Sequence, residues 1–246
     1  MFENQEQTEI SKFYESLPKP TLIAIQELLE DQIYMREKIK SEDIKLDEGL
    51  SEIADDVSDE GLEDIKEDDI KNHKIAYLEG YLWDNENAKK AMKKMVDICK
   101  ADDQKIAFTL SDLFCVDRHR DSFQELINND VDILFANEDE IKSMAQTSSF
   151  EEGLEYAKSL NITAAITKGS SGSVVVSNGS VTEITAQKVD KVVDTTGAGD
   201  LFAAGFLYGY SKNKSMEECG NYASIAAAEI ISHYGGRPLV KLSSLI

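Results

Sequence analysis

Positive charge is scarce in this chain. Across 246 residues, 26 Lys and Arg stand against 47 Asp and Glu, a formal net charge of -21. That balance argues against a nucleic-acid-binding protein, because phosphate contacts need Lys and Arg. It suits a well-hydrated soluble protein. Cysteine is scarce too. Cys99, Cys115 and Cys219 are widely spaced and form no metal-ligand pattern, and the odd count indicates free thiols in a reducing compartment. No apolar run is long enough to span a membrane, and residues 1–15 are polar, unlike a secretory leader. The expectation is a cytoplasmic protein with no membrane partner. Two nucleotide motifs are missing as well. There is no Gly-x₄-Gly-Lys-Ser/Thr, and the glycines at 197, 199 and 205 miss the Gly-x-Gly-x-x-Gly spacing.

A hydrophobic content of 41% supports a proper core, and the length suits one α/β domain with a small appendage. From about residue 70, strand and helix patterns alternate. Strands are expected over 75–82, 105–110, 131–136 and 163–167, and helices over 85–100, 120–128, 138–145 and 150–160. Residues 173–177 and 181–184 flank Asn178-Gly179, a hairpin signal. A last helix runs over 216–233. This alternation predicts a doubly wound, mostly parallel sheet. Residues 1–69 form a separate acidic segment. Thr21 can cap a helix reaching about Lys40, with Ile25, Leu28, Met35 and Ile39 along one side. That stripe reads either as packing on its own domain or as a face for a partner protein or a second copy. Residues 42–70 are about half Asp and Glu, a composition that often stays solvated.

The richest stretch is Asp194-Thr195-Thr196-Gly197-Ala198-Gly199-Asp200. It follows the apolar pair Val192-Val193, read as a strand end, and leads into a helical pattern from Leu201. Gly197 and Gly199 can take positive φ and bring backbone N–H groups close to a phosphate. The free N–H groups and positive dipole end of the helix favour negative charge. Asp200, in the first turn, is placed to accept a proton from an attacking hydroxyl. The plainer alternative is a glycine turn capped by an acid. Asn137 and Glu140 form Asn-x-x-Glu after a strand, where α/β sheets bind ligands. They read equally as a Mg²⁺ site, through water, or as a helix cap with an acidic first turn. Thr167, Gly169 and Gly172 follow the next strand and can line a nucleotide pocket or simply form the loop into the hairpin.

The Asp194–Asp200 motif resembles the signature of the ribokinase-like (PfkB) sugar and nucleoside kinases. The resemblance covers residues 70–246. It implies that Gly197, Ala198 and Gly199 form an anion hole and that Asp200 is the catalytic base. It further implies ATP contacts at Asn137, Thr167, Gly169, Gly172 and Ser224, and Mg²⁺ organised by Glu140 and Asp194, with a monovalent cation as a further cofactor. Many members carry an adenine-contacting Asn where this chain has Ser224. Residues 78–84 and 111–120 look like stretches of bacterial adenosine-kinase-like members, which tilts the acceptor toward a nucleoside rather than a sugar. The family's N-terminal part, with its β lid, its Gly-Gly motif and the residues holding the acceptor, is not recognisable here. An acidic helical segment stands in its place. The implied activity is ATP-dependent phosphoryl transfer to a hydroxyl of a nucleoside (adenosine) or sugar. The alternative is a truncated, non-catalytic nucleotide-binding relative that acts through a partner or oligomer.

Overall fold

The computed structural model describes residues 65, 67–71 and 73–245. The expected helix over 21–40, and most of the acidic segment, lie outside the described residues. The described chain begins with a short helix, α1 (Glu67–Lys71), then β1 (Ile75–Glu79), α2 (Glu86–Ala101), β2 (Lys105–Thr109) and α3 (Leu113–Asn129). It continues through β3 (Ile133–Asn137), α4 (Glu138–Met144), α5 (Phe150–Ser159) and β4 (Thr163–Thr167). The hairpin β5 (Ser173–Ser177) and β6 (Ser180–Ile184) follows, then α6 (Ala198–Ser211) and α7 (Met216–Ile231).

The six strands form one sheet in sequential order, β1 to β6. The pairs β1/β2, β2/β3 and β3/β4 are parallel, and β4/β5 and β5/β6 antiparallel. Successive right-handed crossovers in sequential order put every crossover helix on the same face of the sheet. The packing agrees. Ile106, Phe108, Leu134, Ala136, Ala164 and Ile166 point into a core built by α2, α3, α4 and α5. The alternate residues Ala107, Ile133, Phe135 and Ala165 point the other way, onto Phe202, Phe206 and Ala223 of α6 and α7. With both faces covered, the strands read as nearly continuous apolar runs rather than alternating ones. A rigid aromatic cluster joins the layers on the first face, with Phe108 and Phe123 ring centroids 5.0 Å apart and Trp83 packed edge-on to Phe123 at 5.8 Å.

The architecture is the mostly parallel α/β sheet expected, with four local corrections. The strand expected over 75–82 stops at Glu79, and Gly80–Asp84 turns as a 3₁₀ helix that buries Trp83. The helix expected from Arg120 begins at Leu113, two turns earlier, because Asp112 caps it by accepting from Cys115 N–H at 2.9 Å. The strand expected over 131–136 occupies 133–137. Val192-Val193 forms no strand. Val193 N–H donates to Ile231 O at the end of α7, so a helix end takes the bond that a strand partner would need.

Candidate active site

Parallel strands align their carboxyl ends, and here four of them deliver side chains to one rim. Glu79, Thr109, Asn137 and Thr167 are the last residues of β1, β2, β3 and β4, and all four line a cavity of about 490 Å³. Gly199 and Asp200 of α6 close it from the other layer, with Ser111, Tyr81, Glu140 and Phe202 completing the wall. No Lys or Arg is among the described lining residues, whereas Glu79, Glu140 and Asp200 are.

Gly197 stands at the N-cap of α6 with φ 77°, a left-handed conformation that strains other residues. A Cβ there would lie 3.3 Å from the Cα of Gly236, so the turn also sits close on the C-terminal loop. No side chain caps α6; Ala198 N–H donates to Thr195 O at 3.1 Å, and the Gly199 and Asp200 N–H groups are left available to an anion. Asp194 is spent on shaping this turn. Its Oδ1 accepts from the N–H and the hydroxyl of Thr196 at 2.9 and 2.7 Å, and its Oδ2 accepts from Gly235 N–H at 3.1 Å. It is not among the residues that line this cavity.

Asn137 and Glu140 form the helix cap that their motif allows. They form a reciprocal capping box on α4: Glu140 N–H donates to Asn137 Oδ1 at 2.9 Å, and Asn137 N–H donates to Glu140 Oε2 at 2.8 Å. Asn137 Nδ2 also donates to Glu140 Oε1 at 2.5 Å. The same box sits in the cavity wall. A carboxylate held on both oxygens is poorly placed to ligate an ion directly but well placed to accept from an ion's water. Among the described residues, no three His, Cys, Asp or Glu cluster closely enough to cage a metal. Mg²⁺ dehydrates reluctantly and takes part of its shell from phosphates, so this donor set fits Mg²⁺ carried in with a nucleotide.

The expected nucleotide residues divide. Thr167 lines the cavity; Gly169, Gly172 and Ser224 do not. Gly172 has φ 88°, and a Cβ would come within 2.1 Å of Ile184 O, so its glycine is required by the hairpin. Ser224 Oγ accepts from Gln187 N–H at 2.8 Å and donates to Thr185 O at 3.3 Å, stapling the loop after β6 to α7. Arg118 and Arg120, in the 111–120 stretch, bond to protein groups: Arg118 forks onto Asp84, and Arg120 bonds Asp117 and Ser143.

The residue that sequence reasoning missed is Glu79. It is only 6% exposed, its Oε2 accepts from the Ser111 hydroxyl at 3.2 Å, and its Oε1 has no hydrogen-bond partner among the described residues. Burial, then the charge of Asp200, pushes its carboxyl up to about 8, against the nearby Tyr77 hydroxyl and the Ser111 donation. Burial likewise lifts Glu140 to about 7, opposed by the Asn137 N–H. Burial raises Asp200 as well. An acid at a strand's carboxyl end was the available signal, but burial among other acids is invisible in a linear chain.

The site is a cavity at the carboxyl edge of a parallel sheet, closed by a helix start that has no side-chain cap and an acid in its first turn. The family model for the pfkB family carbohydrate kinases matches residues 50–241, and the chain belongs to that family. An uncharacterized sugar kinase of Archaeoglobus fulgidus is 59% identical over 56 residues, 22% of each chain. A nucleoside kinase of Methanocaldococcus jannaschii is 36% identical over 104 residues, 42% of this chain and 33% of that one. Among solved structures, adenosine kinase from Sinorhizobium meliloti superposes with a TM-score of 0.75 at 42% identity, over 76% of this chain and 58% of that one. The chain thus spans about a fifth to a third of these curated relatives and 58% of the solved one.

Proposed function

We propose that the site transfers the γ-phosphoryl group of Mg-ATP to a hydroxyl of a small acceptor, a nucleoside in preference to a sugar. The observation that carries this reading is the shared cavity of Asp200, the uncapped α6 start, Asn137, Glu140 and Thr167. Asp200 takes the proton of the attacking hydroxyl. The turn shaped by Gly197 and Ala198 presents the N–H groups of Gly199 and Asp200, which stabilise charge building on the transferred group. Glu140 holds Mg²⁺ through water, and the ion offsets phosphate charge in a wall that offers three acids and no base among its described residues. Thr167 contacts the nucleotide at the β4 side. The acceptor then occupies the opposite end, by Glu79 on β1. Tyr81 lines that end and is 41% exposed, and exposed aromatic surface there favours a flat base over a bare sugar. The adenosine kinase likeness points the same way.

A second reading rests on the limited span of the relatives that the chain covers. In it, the described site binds nucleotide without transfer and acts through a partner. One assay separates the two: ADP production by the 246-residue chain with Mg-ATP, with adenosine and ribose supplied separately. Acceptor-dependent ADP that falls by about 10²–10⁴ in Asp200→Asn supports transfer with Asp200 as base. ATP-dependent stabilisation without acceptor-dependent ADP supports the second reading.

A further inference from the structure

Six non-glycine residues among those described have positive φ: Asp103, Ser111, Gln146, Asn161, Asn178 and Asn213. Five have an ordinary explanation. Asp103, Gln146, Asn161 and Asn213 each follow the end of a helix, where a left-handed residue closes the last turn, and Asn178 is in the β5/β6 hairpin. Ser111 ends neither a helix nor a hairpin. It lies between β2 and α3 with φ 67°, and Asp112 N–H donates to Leu110 O at 2.8 Å across it. A three-residue turn with positive φ at its centre is rare and strained, and Ser has none of the left-handed tolerance of Asn or Gly. Such strain persists only where surrounding structure over-determines it, and it concentrates at functional sites.

The side chain shows what the strain holds. Ser111 Oγ accepts from Tyr81 N–H at 3.2 Å and donates to Glu79 Oε2 at 3.2 Å. One hydroxyl therefore uses its donor and an acceptor lone pair to tie the β2 end to both sides of Gly80. Glu79, Tyr81 and Ser111 all line the cavity with Asp200. We propose that Ser111 is a positioning residue of this site: from its left-handed backbone, its hydroxyl fixes the Glu79 carboxyl in the wall shared with Asp200, at the acceptor end. The proposal rests on the kinase reading for the word acceptor, but the Ser111–Glu79 coupling stands apart from it.

The test uses the full chain with Ser111→Gly, which removes both the strain and the hydroxyl, and Ser111→Ala, which removes the hydroxyl alone. Three readouts are needed: thermal midpoint, separate KM values for acceptor and ATP, and a carbon-13 carboxyl titration of Glu79. Tyr77, Ser111, Asp200 and Glu140 are the groups that act on that carboxyl. Losing the Ser111 donation removes a bond that favours the charged form, so the Glu79 titration moves upward in both variants. The acceptor KM rises about tenfold while the ATP KM stays level, and Ser111→Gly keeps or raises the thermal midpoint. An unmoved Glu79 titration in both variants overturns the proposal whatever the activity. So does an equal rise in both KM values with a lowered midpoint in Ser111→Gly, the mark of a merely structural residue. If the unmodified chain makes no acceptor-dependent ADP, the kinase reading fails by itself, and the titration alone decides the Ser111–Glu79 coupling.

Discussion

Three carboxyl groups share the wall of this cavity, and their protonation is the most consequential property at the level of single side chains. Glu79 is pushed up to about 8 and Glu140 to about 7, whereas a glutamate in an unfolded chain titrates near 4.5. Between those values the folded protein binds more protons than the unfolded chain, so these groups make stability fall as pH rises. For Glu79 the loss spans about pH 4.5 to 8, and for Glu140 about 4.5 to 7. Glu79→Gln keeps the neutral shape without the charge. Thermal midpoints from pH 5.5 to 8.5 are expected to show a flatter profile in this variant, with a gain on the order of 1 kcal/mol at the alkaline end. A profile parallel to that of the unmodified chain would mean that Glu79 is ionised throughout. None of this was legible beforehand. Glu79 was one acid among 47, and only the fold places it, buried, beside Asp200.

Helix starts decide the site's geometry among the secondary elements. α4 begins with a reciprocal box and α6 with no side-chain cap. The first is rigid and the second is open to an anion. Asn137→Ala should therefore act twice. It removes the cap, costing about 1–2 kcal/mol in denaturant unfolding, and it frees the Glu140 carboxylate from its side-chain donor. The expected kinetic sign is a weaker dependence of rate on Mg²⁺ concentration at saturating ATP. A stability loss with an unchanged Mg²⁺ profile would make the motif a cap alone. Here sequence reasoning went far. Asn-x-x-Glu read equally as a cap or as a metal site, and the structure builds the cap inside the cavity wall. The Val192-Val193 strand failed for a physical reason. Strand propensity needs a ladder partner, and Val193 N–H is taken by Ile231 O at the end of α7 instead.

Across the whole molecule, a net charge of -21 and an acid-lined cavity oppose a free polyphosphate. Mg-ATP is expected to raise the thermal midpoint, with about 2.7 kcal/mol of stabilisation at a hundredfold excess over Kd, whereas ATP with chelator should raise it little. Equal shifts would mean that the nucleotide is held without the ion. The alternation of elements, the hairpin at Asn178-Gly179 and the Asp194–Asp200 turn were all decided by local pattern, because periodicity, turn chemistry and helix starts depend on near neighbours. Which residues share a cavity was decided by the parallel sheet. Its register brings Glu79, Thr109, Asn137 and Thr167, up to 88 positions apart, to one rim. The layer of α6 and α7 then sets Asp200 across from them. Distances between such residues, and the burial that shifts their protons, arise only when distant segments pack.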